Sequence, residues 1–206
     1  MDKSPLVLLD LIERLGNLIR ADLRRFGAVY QLQPNHLQAL LFLARANRYS
    51  NTPQALAEYL GTTKGTVSQS LILLDRKGLI ERYQDEIDRR VVRLRLSPLA
   101  EQFLAQIQPG SQWQEATKEI SANRIRNSVS ALRESLYMLQ IENGGRTFGS
   151  CPGCVHYQKQ GRITRCDLMG ERLSTFDIRK LCREHSPKNL MVEETDESEE
   201  SEDYEE

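Results

Sequence analysis

Residues 52–82 read TPQALAEYLGTTKGTVSQSLILLDRKGLIER, and the fold turns on this stretch. Thr52-Pro53 is a helix start: a hydroxyl able to cap, then a proline at the first helical position, where its missing N–H costs nothing. Leu56, Ala57 and Leu60 follow at core spacing, and Gly61 breaks the helix. Thr62 or Thr63 then caps a second helix that runs to about Lys77, with Val67, Leu71 and Leu74 on one face and Gly78 as its C-cap. Two β segments come next. The first is Leu79 to Tyr83. In the second, Val91 to Leu96, apolar Val92, Leu94 and Leu96 alternate with Arg93 and Arg95. Between them lies the charged loop 84–90, QDEIDRR.

A short helix, a tight glycine turn, a second helix and a β-hairpin, in that order, make a winged helix-turn-helix. The apolar stripe pins the second helix to a core. Its other face then offers Thr63, Lys64, Thr66, Ser68, Gln69 and Ser70, short or flexible hydrogen-bonding side chains suited to base edges and phosphates in a major groove. Gly65 lets a backbone approach closely. A polar helix face alone would read as solvated surface; the order of the segments favours DNA.

Working outward, residues 6–26 form an amphipathic helix, with Leu8, Leu11, Ile12, Leu15, Leu18, Ile19, Leu23 and Phe26 at helical spacing and Gly27 at its end. A further helix follows Pro34, with Leu37, Leu40, Leu41 and Leu43 apolar and His36 read as a surface residue. Ser97-Pro98 starts another, with Phe103, Leu104 and Ile107 inward, interrupted at Pro109-Gly110. A long helix is expected from about Trp113 to Ile141. Its Ile125, Val129, Leu132, Leu136 and Leu139 step by 4, 3, 4 and 3, the spacing of a coiled-coil seam, which favours a subunit interface.

The stretches at 52–82 and 88–104 (DRRVVRLRLSPLAEQFL) resemble the multiple-antibiotic-resistance regulator (MarR) family, and the resemblance covers roughly residues 6–141. It implies a homodimer joined through the N- and C-terminal helices, a recognition helix at 63–77 and a wing at 82–92. The family's Asp-x-Arg at the wing tip stands here as Asp88-Arg89-Arg90, with Asp88 positioning an arginine for the minor groove. The resemblance implies double-stranded DNA with a pseudo-palindromic operator as partner. The family's small-phenolic ligand pocket has no residue-by-residue match, so a small-molecule effector stays open. The C-terminal extension departs from the family pattern.

Charge is divided along the 206 residues. The net charge is −1, yet residues 193–206, EETDESEESEDYEE, hold ten of the 29 acids and no base, leaving 28 basic against 19 acidic residues before them. A basic body suits a polyanion. The acidic tail reads as disordered and solubilising, with competition against DNA for the basic surface as the sharper alternative. No apolar run approaches the roughly 20 residues of a membrane span. The N-terminus lacks a signal-peptide pattern, so a cytoplasmic location is expected. No catalytic constellation or Gly-rich phosphate loop is visible, which argues against an enzyme.

All four cysteines fall in one segment, as Cys151-x2-Cys154-x11-Cys166-x15-Cys182. In a reducing compartment this clustering argues for a metal centre before disulfides. One close pair and two distant single cysteines resemble the high-potential iron–sulfur proteins, which implies a [4Fe–4S] cluster. Structural Zn2+ is the alternative, including a Cys3His set in which His185 joins Cys151 and Cys154; His156 is a weaker substitute. Ser174-x-x-Asp177 is a capping box for a short helix with Ile178 and Leu181 inward. Arg162, Arg165, Arg172, Arg179, Lys180 and Arg183 are expected to lower the thiol pKa values.

The sequence therefore predicts a mainly α protein with a small β-hairpin wing: a winged helix-turn-helix with long dimerisation helices and a small, loop-rich four-cysteine module. The expected divisions are 1–142 for DNA binding and dimerisation, 146–187 for the cysteine module and 188–206 for the tail. The expected function is dimeric transcriptional regulation with an iron–sulfur sensor. One rival is the same regulator with structural zinc and a small-molecule effector. Another is an electron-transfer protein that uses its helical body only as a dimer scaffold.

Overall fold

The computed structural model describes residues 4–107 and 111–188. The acidic tail, Pro109-Gly110 and the side chain of Ile107 lie outside them. Two compact units emerge, and they do not follow the expected boundary at residue 142. Among the described residues, one comprises 4–45, 51–107 and 111–119, and the other 46–50 and 120–188. No described helix is long and apolar enough to cross a membrane.

The first unit holds α1 (Ser4–Ala28), α2 (Pro34–Arg45), α3 (Pro53–Leu60), α4 (Lys64–Arg76), β1 (Ile80–Gln84), β2 (Val92–Leu96), α5 (Pro98–Ile107) and α6 (Ser111–Thr117). The two strands pair antiparallel, from Ile80 opposite Leu96 to Gln84 opposite Val92. This is the expected mainly α fold with a hairpin wing. Local chemistry sets both ends of α3 and the start of α4 as read, whereas α1 runs through Gly27 to Ala28 and Lys77, not Gly78, is the C-cap of α4. The Thr52 hydroxyl accepts from the Ala55 amide at 3.1 Å, and Gly61 closes α3 in the left-handed region at φ 59°. Thr63 caps α4 by accepting from the Thr66 amide at 3.2 Å.

The apolar stripes meet in one core. Leu37, Leu40 and Phe42 of α2, Leu56 of α3, Val67, Leu71 and Leu74 of α4, Leu94 of β2 and Phe103 of α5 are all buried. Tyr30 packs on Phe103 with ring centroids 4.2 Å apart. His36 is not the surface residue the sequence suggested. It is buried, and its Nδ1 accepts the Gln33 amide at 3.1 Å, stapling the start of α2. Burial, then the nearby Lys77 charge, lowers its pKa. Along α1 only Leu23 and Gly27 are buried; Leu6, Leu9, Leu18 and Ile19 are exposed within this chain.

The second unit contains α7 (Ala122–Glu142), two single-turn 3-10 helices and a three-stranded antiparallel sheet of β3 (Tyr157–Gln160), β4 (Ile163–Cys166) and β5 (Glu171–Arg172). The helix expected over 113–141 is divided between α6 and α7. Ser121 is the cause, because its extended backbone and hydroxyl cap a new helix by accepting from the Arg124 amide. Such side-chain capping competes with helix continuation. The C-terminal half of α7 belongs with the cysteine module: the Tyr137 ring lies 5.5 Å from that of His185. No residue of α7 is buried, and Val129, Leu132, Leu136 and Leu139 are exposed along the seam.

Phe42 is fully buried at the centre of the first unit. Phe42→Ala is expected to cost that unit about 3–5 kcal/mol through lost transfer energy and a cavity. Urea unfolding followed by circular dichroism would read it, and a midpoint within error of the parent would contradict the core described.

Candidate functional site

Helix α4 divides its residues by period. Val67, Leu71 and Leu74 face the core, while Lys64, Thr66, Ser68 and Gln69 are exposed, as is the cap Thr63. Ser70 departs from the sequence reading: it is buried, and its hydroxyl accepts from the Asn35 amide nitrogen at 3.3 Å. It ties α4 to α2 and has no part in the outer face. That face presents hydroxyls, an amide and an ammonium, the donors and acceptors a base edge or phosphate can pair with.

The hairpin loop is built by two aspartates. Asp85 Oδ1 accepts the amides of Ile87 and Asp88, both at 2.9 Å, and Oδ2 accepts Nε of Arg93 at 2.7 Å. These bonds, the Asp88 amide first and the Arg93 guanidinium next, hold the Asp85 carboxyl below the usual carboxylate range. Asp88 in turn accepts the Arg90 amide and Nε at 3.0 Å and a terminal guanidinium nitrogen at 3.1 Å. The arginine that Asp88 holds is therefore Arg90, two residues on, and not Arg89. The Arg90 side chain is 91% exposed, so a clamped cation projects from the wing. Asp85 escaped the sequence reading, since an aspartate in a charged loop carries no signal until its turn is closed.

Asn51 pins the base of the wing. Its side-chain nitrogen donates to Tyr83 Oη at 2.9 Å and Leu94 O at 3.0 Å, and its carbonyl accepts the Leu94 amide at 2.8 Å.

In the second unit, Cys151, Cys154, Cys166 and Cys182 line one small cavity together with His156, Tyr157, Met169, Leu173 and Glu184. Four different devices bring them there. Cys151 opens a 3-10 turn, closed by the Cys154 amide on Cys151 O at 2.9 Å. Cys154 Sγ accepts the Ser186 amide at 3.5 Å. Cys166 ends β4 opposite Tyr157, and Cys182 exchanges backbone bonds with Gly149 at 2.8 and 3.2 Å.

His185 does not line the cavity. Its ring lies under the Cys151–Cys154 turn, within hydrogen-bond distance (3.1 Å) of Thr147 Oγ1 and bonded to the Gly153 backbone. Burial holds this imidazole below its usual pKa. The Cys3His set that includes His185 is thus not assembled. Among the described residues, no group of three or more His, Cys, Asp or Glu side chains is arranged to hold a single metal ion.

The expected lowering of the thiol pKa values is reversed at Cys151 and Cys182. Burial pushes Cys151 up to about 11, with Cys182, Cys166 and Cys154 adding to it, and burial also raises Cys182. Arg165 bonds Gly170 O, and Arg183 pairs with Glu184. The Ser174–Asp177 box forms, at 2.7 Å between side chains, but closes a single 3-10 turn, Asp177–Arg179.

A Cβ at Gly149 would meet the His185 ring at 2.6–2.7 Å. Gly149→Ala is therefore expected to displace His185 and loosen the 147–154 segment, leaving the first unit's melting unchanged. Amide exchange mapped by mass spectrometry would show protection lost over that segment; full retention would contradict this packing.

Residues 30–91 match the model of the MarR family. No curated protein shows significant similarity to the chain. Among solved structures, a MarR-family transcriptional regulator from Silicibacter pomeroyi is 20% identical with a TM-score of 0.56, covering 64% of this chain and 88% of its own. A second transcriptional regulator is 26% identical with a TM-score of 0.57, over 66% and 98% of the two chains. A MarR mutant from E. coli, solved with operator DNA, is 22% identical with a TM-score of 0.51, over 65% and 96%. These likenesses confirm the winged-helix fold.

Proposed function

We propose that this chain is a MarR-type transcriptional regulator that binds double-stranded DNA as a homodimer and carries a [4Fe–4S] cluster in its cysteine module. The observation that carries the DNA reading is the wing: Asp88 clamps an exposed Arg90 on the same unit as the outward polar face of α4. A pre-set cation suits a minor groove, and the face of Thr63, Lys64, Thr66, Ser68 and Gln69 suits a major groove. Arg89 is exposed beside Arg90 and would meet phosphate. The apolar stripes of α1 and α7, exposed within one chain, support a second copy as their cover.

The cluster reading rests on how the thiols are disposed. A tetrahedral zinc ion draws four sulfurs to about 2.3 Å from one point. A cubane takes one cysteine per iron, so its ligands ring a volume. Four cysteines lining one cavity supply the donor set that the second reading needs. Cys151, Cys154, Cys166 and Cys182 would hold the cluster, which would supply one-electron redox chemistry. The raised thiol pKa values fit, since buried neutral thiols ionise only when a cationic centre compensates them.

The test begins with anaerobic purification and selection of duplexes from a random-sequence pool. Selected sites should carry two half-sites about 10 base pairs apart, centre to centre. Arg90→Ala should weaken binding by about 1–3 kcal/mol if it contacts bases. Unchanged binding in the Arg89→Ala, Arg90→Ala double variant would refute the wing assignment.

Iron and sulfide in about a 4:4 ratio per chain, lost in single Cys→Ser variants, is the expected composition. Stoichiometric zinc without sulfide would overturn the cluster.

A further inference from the structure

The five residues Ala46–Ser50 begin the connection from α2 to α3, yet they group with the cysteine module. Their bonds explain why. Ala46 bridges Leu181, and the Asn47 amide donates to Leu181 O at 2.9 Å. The Asn47 side chain donates to the Cys182 thiol, while its oxygen accepts the Tyr49 amide at 3.1 Å and the Ser50 hydroxyl at 2.7 Å. The Arg183 amide donates to Ser50 Oγ at 2.8 Å. Arg48 and Tyr49 both reach Glu171 at 2.7 Å. Asn47 and Ser50 are 3% and 0% exposed.

This segment is thus a strap fastened to three consecutive residues whose middle member is a candidate ligand. We propose that the strap, with Asn47 and Ser50 as its positioning residues, transmits the occupancy of the cysteine centre to the DNA-reading elements. The inference rests on the reading that the four cysteines hold such a centre.

The physical route is short. Release of Cys182, with Leu181 O and the Arg183 amide, would strip the buried Asn47 of the partners of its backbone amide and side-chain nitrogen and leave Ser50 Oγ without the Arg183 donor, holding only its bond to Asn47 Oδ1. Buried polar groups do not stay unpaired, so the strap must move toward water. The next residue in the chain is Asn51, which fixes β2 and Tyr83 at the base of the wing. After it comes Thr52, the cap of α3. Movement of the strap therefore reaches the wing and the first helix of the helix-turn-helix through covalent continuity, with no need for displacement of α7. Two states of one packed element, each favoured by a different ligation state, are what such coupling requires.

The experiment uses the full chain, prepared anaerobically, with metal and sulfide assayed, and a duplex selected by the loaded wild type. Affinity is measured loaded and after anaerobic chelation, in wild type, Asn47→Ala and Ser50→Ala. Stripping should change wild-type affinity by about tenfold, within the usual span of allosteric coupling. In loaded variants of unchanged metal content, the change should fall below about threefold. Loaded variants that keep the full wild-type change would overturn the strap. So would a wild type that carries its centre but binds DNA equally in both states.

A wild type that takes up no metal would refute the underlying reading as well, and the assay separates that failure from the others. Where the variants load poorly or no duplex is selected, amide exchange in the wild type decides. Exchange over 46–52 that rises on stripping supports the strap, and exchange that stays fixed overturns it.

Discussion

Helix α4 has one orientation that hides Val67, Leu71 and Leu74, and everything in the first unit depends on it. Burying three branched side chains contributes roughly 1.5–3 kcal/mol each, and no other rotation about the helix axis recovers that. The 3.6-residue period then obliges Lys64, Thr66, Ser68 and Gln69 to face outward. Ser70 sits on the buried side and is satisfied by Asn35, which fixes the rotation further. The polar face is thus a consequence of core packing, and its aim is as rigid as the core.

The wing is fixed by a different force. Its strands are short and largely exposed, so side-chain-to-backbone bonds shape the loop. Asp85 closes the turn and Asp88 takes up Arg90, so the hairpin is ordered through two carboxylates in series. An ion pair as exposed as Asp88–Arg90 contributes little to global stability. Its effect is geometric: it narrows the range of a long side chain before any ligand meets it, which reduces the entropy lost on binding.

The second unit is organised by close backbone contact. Gly149, bare of a side chain, admits the His185 ring and pairs with Cys182, which closes one side of the cysteine cavity. Cys154 meets Pro187 on another side, and β4 delivers Cys166. The cavity wall is apolar where Met169 and Leu173 stand, and burial makes the Cys151 and Cys182 thiols hard to ionise alone.

The sequence alone determined the order and type of elements in the first unit, because amphipathic period, capping hydroxyls and glycine stops act within a few residues of each other. It also marked the four cysteines as one group by spacing. Three matters needed the tertiary structure. Whether Ser70 and His36 face in or out depends on neighbours 35 positions or one turn away, which periodicity alone misjudged. The break before α7 turns on Ser121, a residue that caps only when the chain leaves the helix there. The joining of Ala46–Ser50 to Leu181, Cys182 and Arg183 spans more than 130 positions, and nothing local in either segment announces it. Long-range backbone pairing leaves no periodic trace, so a connection between two helices reads as a mere loop until the chain has folded back upon it.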